Sequence, residues 1–177
     1  MSVKHEGIGG WLILIIIGLL SVPFIRMFSL YQNYWTVYHT PAWSLLTEPG
    51  NPLYHAWFEP VFWINVAVDF GIILLTLVAL WLLFTKHAAF PKFMIYYLVG
   101  ITVFAIADGI ITNWIFSTLP ITADTLAYIK GQSFRQQAGS IIVCLIWIPY
   151  LLRSKRVKAT FIGKPKEQPF AHNNLTF

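Results

Sequence analysis

The sequence predicts an all-α integral membrane protein: a four-helix transmembrane bundle with both termini in the cytoplasm and an aromatic-rich external loop. Three observations carry this. The 177 residues are 57% hydrophobic and only 11% charged, whereas soluble domains carry about 25% charged residues. Four apolar runs are long enough to cross roughly 30 Å of hydrocarbon as helices. Lys and Arg gather at one end of those runs and nearly vanish from the other, which orients the chain.

Span one covers residues 10–28, GWLILIIIGLLSVPFIRMF, after the short charged stretch MSVKHE. Its apolar core exceeds the roughly 7–15 residues of a secretory signal, and no A-x-A-like site follows, so it reads as a retained span. Pro23 is expected to kink or loosen its last turn. Spans two, three and four cover residues 61–85, 93–116 and 132–152. Together they make a membrane domain over residues 1–161, followed by a polar cytoplasmic tail, residues 162–177.

Orientation follows from the loops. Lys4 precedes span one, Lys86 and Lys92 flank KHAAFPK, and Arg153, Lys155, Arg156 and Lys158 follow span four. The loop 29–60 has no Lys or Arg. The positive-inside rule puts the basic segments in the cytoplasm and the two longer loops outside. The basic cluster after span four is expected to contact anionic lipid headgroups at the cytoplasmic face, each residue contributing about 1 kcal/mol. No nucleic-acid partner is expected, because no fold presents those charges.

The loop 29–60 is dense in Tyr and Trp, which favour the headgroup layer. Within it PAWSLL predicts a short interfacial helix starting at Pro41, and TEPGNP predicts a turn. His39 and His55 with Glu48 and Glu59 have no recognised metal-ligand spacing. The one cysteine, Cys144, excludes an internal disulfide.

FAIADGIITNW, residues 104–114, places Asp108 inside span three. Asp69 lies inside span two, nine positions past Pro60, or roughly 13 Å along a helix. Asp108 lies eight positions before Phe116, roughly 12 Å from the same edge. The two carboxylates therefore fall at one depth. Lipid-facing charges cost several kcal/mol, so both are expected to turn inward, toward Arg26 and Arg135. Asn65, Asn113 and Gln136 complete the expected cluster, with Thr112 and Gln137 beside it. Such a cluster either specifies helix packing or forms a ligand site reached from outside. Ala105, Gly109 and Gly139 are expected to let helices approach closely.

No histidine lies within a span, which leaves an intramembrane bis-His haem without ligands. GIGG at residues 7–10 follows no strand, and neither an H-E-x-x-H nor a Ser–His–Asp set stands out. No enzyme, cofactor or metal is expected. The expected role is an accessory or sensing component whose polar cluster binds a small ligand, lipid or protein. The protein partner would be another membrane protein or a second copy of the chain. The alternative is a small proton-coupled transporter using Asp69 or Asp108.

Two stretches carry a family likeness: GIGGWLILIIIGLLSVPF at the start and IWIPYLLRSKRVKATF at the end of span four. They resemble bacterial inner-membrane proteins grouped as domain of unknown function 2569. The resemblance implies a four-span protein of a bacterial inner membrane. It implies no activity and assigns no catalytic residue.

Overall fold

A computed structural model describes residues 10–162, and among them every regular element is helical. Helix α1 is Trp11–Tyr38, α2 is Pro41–Thr47, α3 is Phe58–Phe84, α4 is Phe90–Ser117 and α5 is Ala123–Arg153. A last helix, α6, Lys155–Ile162, leaves α5 at 55°. Helices α1, α3 and α4 are each long and apolar enough to cross a membrane, and α5 with α6 makes a fourth candidate if the bent pair counts as one span. Lys4 and the tail from residue 163 onward lie outside the described residues.

The helix boundaries correct the sequence reading at two places. The helix of span one does not end near residue 28. It passes Pro23 and continues to Tyr38, with a π-helical stretch at Leu30–Trp35. The stretch expected to open a loop therefore stays helical, because its aromatic residues pack on α3. The Tyr34 and Phe62 ring centroids are 5.2 Å apart and those of Tyr38 and Trp63 5.8 Å. Span four begins earlier than residue 132. Thr122 caps α5, its hydroxyl accepting from the Thr125 N–H at 3.3 Å, so the helix starts at Ala123.

Other local signals behave as expected. Pro41 opens α2 at its first turn, and residues 48–53 form the turn, with Gly50 at φ 102°. Lys86, at φ 51°, ends α3: its N–H reaches the Leu83 carbonyl and the His87 N–H the Leu82 carbonyl, a Schellman closure.

Helix α1 packs on α3, α3 on α4, and α4 most extensively on α5. The main core lies in the half nearest the basic segments. Leu12, Ile15 and Leu19 meet Leu83, Phe90, Met94 and Leu151 there. Helix α6 folds across this end. Val157 is fully buried, and Phe161 stacks on Phe90 with centroids 4.7 Å apart. Ser154 makes the bend: it closes α5 in an extended conformation, and its hydroxyl accepts from the Val157 N–H. The outward helix faces are covered with large apolar residues such as Phe24, Leu74, Trp81 and Leu145.

Phe161→Ala is expected to lower stability by about 3–5 kcal/mol, the range for a deleted core aromatic. An unchanged thermal unfolding midpoint in detergent would show that α6 does not seal this end.

Candidate functional site

The two carboxylates within the long apolar helices are held by different chemistry. Asp69 shares one stripe of α3 with the buried Phe62, Ile72 and Thr76, so the core-facing period that buries those residues buries it too. Arg26 of α1 meets it: Nη1 donates to Oδ1 at 2.8 Å. Asp69 is 5% exposed, and the ion pair cancels its charge.

Asp108 of α4 is half-buried and has no ion-pair partner among the described residues. The Asn65 amide of α3 donates to Asp108 Oδ1 at 2.8 Å, and the Thr112 hydroxyl approaches the same oxygen at 3.4 Å. Two neutral donors orient this carboxylate without neutralising it. Tyr34 of α1 faces the same cavity as Asp108. Asn65 lies four positions before Asp69, so Asp108 meets α3 one turn from Asp69.

Asp108 lines a cavity of about 460 Å³. Its polar lining includes Asn33 and Tyr34 of α1, Asn65 of α3, Thr112 of α4 and Gln132, Ser133 and Gln136 of α5. Phe58, Phe62 and Phe116 supply apolar wall, and among the described residues no Lys or Arg lines it. Aromatic residues from α2 stand beside it: Trp43 packs on Phe62 with centroids 4.8 Å apart. Next to it α4 and α5 are joined by polar contacts. Gln137 presses its amide against Gly109, where a Cβ would collide with it, and Asn113 accepts from the Ser133 hydroxyl at 3.4 Å. Such contacts between helices each contribute about 0.6 kcal/mol in membranes. Of the small residues, Ala105 and Gly109 are buried, whereas a Cβ at Gly139 would meet open space.

The expected second Arg–Asp pair does not form. Arg135 is exposed and meets neither carboxylate. Arg135 lies 18 residues from Arg153 along α5, about 27 Å at the helical rise. Of the basic residues after span four, Arg153, Lys155 and Lys158 are exposed, while Arg156 lies against Gly10 at the start of α1. His39 stacks on Trp35 and His55 contacts Trp114. No group of three His, Cys, Asp or Glu side chains gathers among the described residues.

Tyr34 and Asn33 were not foreseen as site residues because residues 29–38 read as loop. A signal was present: Tyr31, Tyr34, Trp35 and Tyr38 follow the i, i+3, i+4, i+7 pattern of one helix face.

The class is an all-helical chain with three to four helices able to cross a membrane. It belongs to the family described as Protein of unknown function (DUF2569), whose model matches residues 5–162. Nothing matches the chain among curated proteins or among solved structures.

Arg26→Gln is expected to cut folded yield, because stranding a buried charge costs about 3–5 kcal/mol. Arg26→Leu combined with Asp69→Leu is expected to restore much of it, since an apolar pair replaces both charges. Arg135→Gln is expected to leave yield unchanged. Monodisperse yield from membranes checks all three, and equal loss in every variant would contradict this assignment.

Proposed function

We propose that the protein is a non-enzymatic, multi-span protein of a bacterial inner membrane, an accessory or sensing component that binds a small ligand in the cavity around Asp108. The four long helices form a transmembrane bundle with both termini cytoplasmic, and α2 with its flanking turns forms the external cover. The ligand brings a positive charge or strong hydrogen-bond donors. The observation that carries this reading is Asp108 itself. Among the described residues it is a carboxylate without a cation, held in place by Asn65 and Thr112 on the wall of a cavity that no basic residue lines. A charge held this way in low dielectric attracts a cation far more strongly than it would in water.

The closed half favours binding over passage. The core around Leu83 and Phe90, with Phe161 across it, is apolar, and the polar side chains between Asp108 and the basic end include two mutually bonded sets, Thr102 with Cys144 at 3.0 Å and Thr76 with Tyr97 at 2.6 Å. The exposed Arg153, Lys155 and Lys158 suit anionic lipid headgroups at the cytoplasmic face.

Small ammonium compounds are expected to raise the thermal unfolding midpoint of the purified protein, and matching carboxylates are not. Asp108→Asn removes the effect. Equal shifts from both classes, or an unaltered shift in Asp108→Asn, would rule out the site. Topology is checked in a Cys144→Ser background with a membrane-impermeant thiol reagent on sealed right-side-out membranes. A cysteine replacing Asn51 is expected to react at once, and one replacing Lys86 only after lysis.

A further inference from the structure

A second hollow, about 440 Å³, lies between α1 and α3. Its lining is aromatic: Tyr31, Tyr34, Trp35 and Tyr38 from α1 face Phe62 and Trp63 from α3. It follows α1 from Leu30 to Tyr38, about 12 Å at the helical rise. Tyr31, Trp35 and Trp63 also lie on the protein's outer surface, so the groove opens sideways, toward lipid in the membrane reading. Tyr34 and Phe62 line both this groove and the Asp108 cavity. Their rings, edge to face at 5.2 Å, are the partition between the two.

We propose that groove and cavity together form one site for a lipophilic organic cation, taken up sideways from the bilayer. This rests on the cavity reading above and adds the ligand's apolar part and its route. The ammonium group sits beside Asp108 and the apolar chain lies along the aromatic groove. Charge complementarity decides the class. Among the described residues Asp108 has no cation of its own and no Lys or Arg lines the cavity or the groove, so a phosphate or carboxylate headgroup finds no partner there. Aromatic faces attract cations as well as alkyl chains, so the groove suits a cation at each stage of its path. Tyr34 occupies the boundary and lies near the end of the π-helical stretch Leu30–Trp35. Stretches of this kind recur at functional sites.

The test is equilibrium binding to the protein in lipid nanodiscs, with partition into empty nanodiscs subtracted. Tetramethylammonium and octyltrimethylammonium are compared, with octanoate as the anionic control. Octyltrimethylammonium is expected to bind at least about tenfold more tightly than tetramethylammonium, from chain burial and ring contact. Trp35→Ala with Trp63→Ala removes that advantage and leaves tetramethylammonium binding intact. Asp108→Asn removes binding of both, and Asp108→Glu, which keeps the charge, retains it. A photoreactive octylammonium applied to the unaltered protein is expected to mark residues 30–38 and 62–70. Tetramethylammonium binding that depends on Asp108, with no gain from the chain, would overturn this proposal and leave the cavity reading standing. Absence of binding by both cations would overturn both. Labelling outside those two segments, or binding of octanoate as tight as that of the cation, would also overturn it.

Discussion

The constraint on which the rest of the structure depends is the satisfaction of two carboxylates inside helices that otherwise present almost nothing but hydrocarbon. An ionised carboxylate in such surroundings must find a cation or several hydrogen-bond donors. Asp69 finds Arg26, and the 2.8 Å contact ties α1 to α3. Asp108 finds Asn65 and Thr112 instead, which tie α4 to α3 and to its own next turn. The helices must therefore approach one another at one particular level, and that level positions the cavity wall. A buried pair of this kind specifies an arrangement more than it adds stability.

The molecule is divided along its length. Toward the basic segments the helices interlock through Leu, Ile, Phe and Met, and α6 crosses the end with Val157 and Phe161. Toward the aromatic end they separate around polar side chains. Close packing and polar hollows are alternative uses of the same volume. Leu and Ile interdigitate to the density of organic crystals, whereas a carboxylate, amides and hydroxyls around a void remain available to a ligand. Large hydrophobic residues at the polar level would have closed the hollow and stranded Asp108.

Aromatic residues give the open half its walls. Trp43 from α2, Phe62 from α3 and Tyr34 from α1 meet edge to face, so three elements share one cluster of rings. Such rings bury large area with few rotatable bonds. They hold the short helix α2 over the bundle end although no residue of α2 is buried. The same rings divide the polar cavity from the groove on the outer surface, which makes Tyr34 the point where the two environments meet.

The sequence by itself determined the composition class, the count and approximate centres of the long helices, the short helix at Pro41 and the similar distances of Asp69 and Asp108 from the neighbouring ends of their helices. These follow from local quantities: hydropathy over about 20 residues, the rise of a helix and the backbone limits of proline. Packing decided the remainder. Whether residues 30–38 continue α1 depended on Phe62 and Trp63 being there to cover their rings. Whether Arg135 paired with a carboxylate depended on which way α5 turned about its own axis, and it turned Ser133 and Gln137 toward α4 instead. Rotation of one helix against another has no local signature in the chain. It emerges from the sum of all contacts along the interface, and so the occupants of the polar cluster were settled only when the helices met.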